Sequence, residues 1–220
     1  MTVRVIIADD QDIVRAGITT ILNGQPGIEV VGQATNGRDA VVLARRLRPD
    51  VCLFDIRMPE LDGIEATRQL AGAEIDDPIA VVVITTFDTD SYIYGALKAG
   101  ARGFLLKGAS PEQLIAAIHA ANDGDALIDP SVTARLLGRL SETGPAEPPV
   151  QPIEPLTDRE EEVLLTVARG ATNAEMATTL NISLSTVKFH LASLMTKLGA
   201  RNRVELALWA YETRRLRPER

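Results

Sequence analysis

Five side chains in this 220-residue sequence have the types and spacing to do cation and phosphate chemistry together. Asp9 and Asp10 follow the apolar run VRVIIA, Asp55 follows VCLF, Thr85 ends AVVVIT and Lys107 follows GFLL. Three carboxylates brought close repel and raise one another's pKa. A hard divalent cation relieves that repulsion, and Mg²⁺ favours a few carboxylates, waters and a phosphate as ligands. A threonine hydroxyl donates a hydrogen bond to phosphate oxygens, and a lysine ammonium gives them a counter-charge. Each residue alone has a plainer reading. An aspartate after a strand is often a helix N-cap, as Asp12 is placed to be. A threonine packs at a strand end, and a lysine is solvated. The joint placement of all five at strand ends weighs against those readings.

The elements that must position them are legible in the hydrophobic pattern. Residues 3–8, 29–32, 51–54, 80–85 and 103–106 are short apolar runs of the length that suits strands buried on both faces. Between them, Ile13-Gly17-Thr20-Ile21, Ala40-Leu43-Ala44-Leu47 and Leu114-Ala117-Ile118-Ala121 keep helical spacing. Five β–α units predict an open parallel sheet with helices on both faces. In the flavodoxin-like order 2-1-3-4-5, strands one and three are neighbours where the strand order reverses, and ligands bind at the carboxyl ends there. All five residues then share one rim. Cys52 lies inside the third run and reads as an inert core thiol. Tyr92 and Tyr94 fall in the fourth helix, where amphipathic packing is the first reading and surface docking the second.

The segments IIADDQDIVRAGI, DIRMPELDGIEATRQL, VVVITTFDTD and ALKAGARGFLLKGAS resemble the receiver domain of bacterial two-component response regulators over residues 3–122. The resemblance implies that Asp55 accepts a phosphoryl group from a histidine kinase. It implies Mg²⁺ bound by Asp10 and Asp55, with Asp9 acting through water and the main-chain carbonyl of Arg57 as a further ligand. It implies that Thr85 and Lys107 hold the acyl phosphate, and that Thr85 and Phe104 report phosphorylation to the surface of the fourth helix and fifth unit.

The remainder of the chain differs in composition. Net charge is −7 overall, which by itself argues against nucleic acid, but it is unevenly distributed. Residues 1–140 carry 13 basic and 19 acidic side chains, residues 141–152 carry two acids, and residues 153–220 carry 10 basic and 9 acidic. Residues 183–204 hold Lys188, Lys197, Arg201 and Arg203 with no acid. The segment SETGPAEPPVQP has four prolines and no periodicity, and reads as a flexible linker. The expected domains are 1–122 with an extension helix to about 140, a linker over 141–155, and a second domain over 156–220. One cysteine excludes a disulfide framework or a Cys-rich zinc site. No apolar run approaches the roughly 18 residues of a membrane span, and the acidic start is not a signal peptide. A cytoplasmic protein is expected.

In the second domain, Thr157 with Glu160, Thr172 with Glu175 and Asn202 with Glu205 have capping spacing, which predicts helix starts near 158, 173 and 203. Gly170 is placed to close the first of these helices. Glu160 reads as a cap rather than a ligand-contacting residue. Asn181-Ile182-Ser183 forms a short turn, and the next helix buries Val187, Leu191, Leu194 and Leu198. Two short helices across such a turn make a helix-turn-helix, and the carboxylate-free outer face of the second suits phosphates. A generic bundle with a solvated basic face is the alternative. LTDREEEVLLTVARGATNAEMATTLNISLSTVKFHLASLMTKLGARNRVELALWA resembles the LuxR-type DNA-binding domain, and with the receiver the chain resembles the NarL/FixJ class. That resemblance implies base-facing positions at Lys188, Phe189 and Ala192 and phosphate contacts at Thr186, Lys197 and Arg201. Phe189 and Ala192 can read only thymine methyls or shape. The resemblance also implies homodimerisation through the last helix, with Val204, Ala207, Leu208 and Tyr211 on the dimer stripe.

The expected function is therefore a DNA-binding transcriptional regulator, not a dedicated enzyme, activated when a cognate sensor histidine kinase phosphorylates Asp55. The expected assembly is a homodimer on double-stranded promoter DNA. A phosphorylation-independent regulator that binds DNA constitutively is the alternative. An aspartyl phosphatase would need an acid where Arg57 stands. A flavodoxin would need a phosphate loop where Asp9-Asp10-Gln11-Asp12 stands.

Overall fold

The computed structural model describes residues 2–86, 90–125, 127–128, 152–169, 171–200, 202–213 and 215, with backbone alone at 90, 91, 127, 128, 204, 208, 211 and 212. The chain divides into two compact units, Met1–Arg135 and Leu136–Arg220. In the first, β1 (Val3–Ala8), α1 (Asp12–Asn23), β2 (Ile28–Ala34), α2 (Gly37–Leu47), β3 (Val51–Asp55), α3 (Gly63–Ala71), β4 (Ala80–Thr85), α4 (Asp90–Lys98), β5 (Gly103–Leu106) and α5 (Pro111–Asn122) alternate, and a two-residue β6 (Leu127–Ile128) follows.

The sheet is parallel throughout, in the order β2-β1-β3-β4-β5-β6. Every position of β3 and β4 is buried, as expected for central strands covered on both faces. Side chains alternate between the faces. Val5, Ile7, Leu53, Val82 and Leu105 pack with Leu22, Leu114 and Ile118 in one core cluster. The alternate positions Ile6, Cys52, Phe54, Val83 and Phe104 are equally buried, as are Ala40, Ala66, Leu70 and Ile93 on α2, α3 and α4.

Three local features differ from expectation. Strand β2 runs over Ile28–Ala34, longer than residues 29–32, with a register shift against β1 between Val5 and Ile6. Gly32 permits the close approach of α2 there, because an added Cβ would lie 2.7 Å from Leu43 Cδ2. Asp12 is not a cap. Gln11 occupies the N-cap without a side-chain bond, and Asp12 pairs with Arg15 one turn on. A short strand at residues 127–128 follows α5, and residues 129–140 of the expected extension helix lie outside the described residues. Gly124, at φ +82°, turns the chain after the Asp123 cap, and residues 127–128 then pair with Gly103 and Phe104 on the edge of β5.

The second unit contains α6 (Asp158–Ala168), α7 (Asn173–Thr179), α8 (Leu184–Leu198) and α9 (Arg203–Glu212). Thr157–Glu160 and Thr172–Glu175 form complete capping boxes, and the Ser183 side chain accepts the Thr186 amide. Asn181 takes a left-handed conformation (φ 52°) in the turn between α7 and α8, a conformation Asn tolerates better than most residues. Val187, Leu191, Leu194 and Leu198 join Val163, Leu164, Met176, Leu206 and Trp209 in a separate core. Gly170 lies outside the described residues.

Candidate metal centre and nucleic-acid interface

Parallel pairing puts Ala8 opposite Phe54, so the residues that follow them leave adjacent strand ends together. The ligand-capable oxygens of Asp9, Asp10 and Asp55 consequently lie within 4.8 Å of one another. Asp9 and Asp55 are buried and Asp10 is exposed, which opens the cluster to solvent on one side. Beside it is a groove of about 410 Å³ whose lining includes Asp10, Ile56, Arg57, Pro59 and Tyr92. Arg57 Nη2 donates to Tyr92 Oη at 3.0 Å, and the guanidinium lies 5.5 Å from that ring's centroid.

Lys107 spans the acidic cluster. Its Nζ lies 2.6 Å from Asp9 Oδ2 and 2.9 Å from Asp55 Oδ2. The other Asp55 oxygen accepts the Ile56 amide at 2.8 Å. Burial pushes the Asp55 carboxyl above its ordinary range; Lys107 and the Ile56 amide pull it down, and the Asp9 charge adds to the rise. Burial alone would lower Lys107, but its bonds to Asp9 and Asp55 prevail and raise it, keeping it an ammonium. Thr85 is buried, and its carbonyl accepts the Lys107 amide at 2.9 Å, which couples the ends of β4 and β5. Phe104 is fully buried on β5, opposite Val83.

Two supports were not anticipated from sequence. Arg15 Nη1 donates to the Asp9 carbonyl at 2.7 Å, and Gln11 N donates to Asp9 Oδ1 at 2.9 Å, so the acidic loop is held from α1. Gly63 begins α3 against the back of Asp55. An added Cβ would sit 1.9 Å from the Asp55 carbonyl oxygen, and the Gly63 amide donates to Ile56 at 2.8 Å. Lys107 pairs with two of the three carboxylates, Asp9 and Asp55, and every donor of the cluster is a hard oxygen. That set fits a divalent cation of the Mg²⁺ type.

In the second unit, α8 carries no carboxylate. Lys188, Phe189, Ala192 and Thr196 are exposed on it, and Thr186 is half-buried. Ser183 Oγ lies 2.7 Å from both Ser185 Oγ and Thr186 Oγ1, so hydroxyls cluster at the helix N-terminus, where the dipole favours anions. Lys197 is placed differently. Its Nζ lies 2.9 Å from Glu160 Oε2, and its side chain is only 17% exposed. Glu160 is buried and also accepts from the Thr157 amide (2.8 Å), Thr157 Oγ1 (3.0 Å) and Ser193 Oγ (2.6 Å). Burial alone would raise its carboxyl, but the bonds from Ser193, Thr157 and Lys197 outweigh that and hold it at about 2. It is thus a cap that also ties α6 to α8. The cap was legible at i, i+3, but the partners on α8 were not. Arg201 lies outside the described residues, as do the side chains of Val204, Leu208 and Tyr211. Ala207 is half-buried and packs on its own unit's core.

Comparison with known proteins accounts for both sites. Residues 5–119 match the family described as the response regulator receiver domain, and residues 154–210 match the bacterial regulatory proteins of the luxR family. The chain belongs to the LuxR-type response regulators. Its relatives include transcriptional regulatory protein LiaR of Bacillus subtilis, 39% identical over 95% of this chain and 97% of that one. Response regulator protein VraR of Staphylococcus aureus is 34% identical over 96% and 98%. Among solved structures, the response regulator ChrA of a heme-sensing two-component system is 36% identical, with a TM-score of 0.54 over 98% of this chain and 99% of that chain. A complex of the response regulator RcsB with DNA is 26% identical, with a TM-score of 0.56 over 96% and 99%. This response regulator therefore joins a receiver domain to a DNA-binding domain and acts in transcription regulation.

Proposed function

We propose that Asp55 is the phosphoacceptor and that its phosphorylation by a sensor histidine kinase controls DNA binding by α8. The observation that carries this reading is Lys107 bridging Asp9 and Asp55 at 2.6 and 2.9 Å beside the exposed Asp10. In the transfer, an Asp55 carboxylate oxygen attacks the phosphorus of a phosphohistidine. The P–N bond breaks, the imidazole leaves with the electron pair and takes a proton, and a mixed anhydride forms. Asp9, Asp10, Asp55 and the Arg57 carbonyl would hold Mg²⁺, which supplies neutralisation of phosphoryl charge when bound. Lys107 exchanges a carboxylate contact for a phosphoryl oxygen, and Thr85 donates its hydroxyl to another. The new charge is drawn to Lys107 and Thr85, and Phe104 on the neighbouring strand responds to the shift. Slow hydrolysis of the anhydride resets the site, and in this reading the protein is a switch rather than a dedicated enzyme.

On DNA, Lys188, Phe189 and Ala192 face bases, and Thr186, Lys197 and Arg201 contact phosphates. Two copies associate through α9 along Val204, Ala207, Leu208 and Tyr211, and the operator holds paired half-sites. No helix among the described residues is long and apolar enough to cross a membrane, and kinase and promoter both place the work in the cytoplasm. The domains are 1–122 and 156–220, with the linker over 141–155.

The deciding experiment treats the full chain with a small acyl phosphodonor and Mg²⁺, then reads intact mass and affinity for operator DNA at fixed salt. The native protein gains one phosphoryl group and binds more tightly, and Asp55→Asn does neither. An Asp55→Asn protein that gained both would overturn the assignment, and equal affinity before and after treatment would favour a constitutive binder.

A further inference from the structure

Residues 153–155 run beside α8. The Ile153 amide donates to the Lys197 carbonyl at 2.9 Å, and Lys197 Nζ reaches the Pro155 carbonyl at 3.4 Å. Between this strap and α8 lies an open groove of about 420 Å³, lined in part by Ile153, Glu154, Phe189, Ala192 and Thr196. Phe189 is 70% and Ile153 76% exposed, two large apolar side chains turned to solvent on the same groove. Neither adds to the core of its unit.

The chemistry of the groove selects among the parts of a DNA duplex. A phosphate is disfavoured in the apolar part of the groove, where Ile153, Phe189 and Ala192 offer it no donor and the neighbouring Glu154 repels an anion; Lys197, which with Ser193 also lines the groove, has its ammonium bonded to Glu160 and the Pro155 carbonyl. A major-groove base edge suits it better. Thymine presents a 5-methyl group there, and adenine and cytosine present amino donors that a carboxylate can accept. The hydroxyls of Ser183, Ser185 and Thr186 at the N-terminus of α8 provide for the backbone.

We infer that Ile153, Phe189 and Ala192 form a slot for the 5-methyl group of thymine, so that the end of the linker is part of the DNA-reading surface. This rests on the reading of α8 as the DNA-contacting helix. Ile153 and Phe189 close on the methyl from two sides, and Ala192 leaves the room between them. At that position, the operator is specified by apolar contact and not by a bidentate hydrogen bond.

Duplexes are selected from a random-sequence pool with the full, phosphodonor-treated chain. Each thymine of the selected site is then replaced by deoxyuridine, which removes only the methyl, and affinity is read by fluorescence anisotropy. Replacement at one position per half-site weakens binding about fourfold, the scale of one buried methyl group. Phe189→Ala and Ile153→Ala each abolish that thymine preference, so that the thymine and deoxyuridine duplexes bind the variant equally. Emission of Trp209, the single tryptophan, checks that the unit is folded. A thymine preference that survives both substitutions overturns the slot. So does an Ile153→Ala protein that binds every duplex more tightly, since the strap would then cover α8 rather than read with it. Failure to select any duplex removes the DNA-reading role and the slot with it, whereas selection without methyl dependence removes the slot alone.

Discussion

Lys107 illustrates how one side chain can hold a charged site ready for chemistry. In the resting arrangement it neutralises part of the repulsion between Asp9 and Asp55, at 2.6 and 2.9 Å. Once Asp55 is phosphorylated, the same ammonium can follow a phosphoryl oxygen with little movement. Thr85 is on the next strand, joined to Lys107 through its carbonyl. Its hydroxyl is proposed both to hold the phosphoryl group and to report it, so Thr85→Ala should gain phosphoryl mass more slowly than the native chain and, once phosphorylated, lack most of the gain in DNA affinity. Mass spectrometry and anisotropy on one sample separate the two effects. Glu160 gives a residue-scale prediction of a different kind. Its folded value of about 2 lies below its ordinary 4.5, so its stabilising contribution is full above pH 4.5 and fades as pH falls toward 2. Glu160→Gln should therefore be less stable than the native protein near neutrality, and the difference should narrow over that acid window. Urea unfolding followed by Trp209 emission reports the second unit alone, because Trp209 is the only tryptophan.

At the scale of elements, the acidic site depends on how closely α3 approaches the end of β3. Gly63 makes that approach possible, since a side chain there would collide with the Asp55 carbonyl at 1.9 Å. Gly63→Ala must move either α3 or the Asp55 backbone. Phosphorylation should slow by an order of magnitude or more, because about an ångström of misplacement costs roughly a hundredfold in positioned chemistry. A time course of phosphoryl incorporation checks this, and an unchanged rate would show that α3 yields freely. The same scale explains α8. Its buried stripe fixes its rotation against the core, and that rotation decides that Phe189 and Lys188 face outward while Ser193 and Lys197 turn toward Glu160.

For the whole molecule, charge is divided by domain. Residues 1–152 carry a net −8, from −6 in 1–140 and −2 in 141–152, whereas residues 153–220 carry +1. An acidic domain tethered near DNA opposes binding through a screened repulsion. Deleting residues 1–152 should raise basal DNA affinity several-fold at low salt, with the gain shrinking as salt rises. A binding series across ionic strengths checks it, and unchanged or weaker binding by the fragment would remove the electrostatic gate.

The strand–helix alternation, the ordering of acids at strand ends and the caps of α6, α7 and α8 could all be read from sequence. Each is a local signal, a run of apolar residues or a pair three positions apart, and local backbone chemistry determines it. The same locality explains the misreadings. Asp12 had the right residue type to cap, but the helix began one residue earlier than that role required. The short strand at 127–128, reached through the Gly124 turn, was not foreseen either, because pairing with the open edge of β5 is decided at long range. Which charges remain available is a long-range matter. The segment around α8 carries four cations and no acid, yet packing joins Lys197 to Glu160, 37 residues earlier, and buries Arg203 with a bond to the Ala171 carbonyl. The contact of Lys107 with Asp55 spans 52 residues, and the groove between Ile153 and Phe189 also joins distant parts of the chain. Only packed elements bring such partners within bonding distance, so composition could announce a basic reading helix while tertiary structure decided which of its charges face outward.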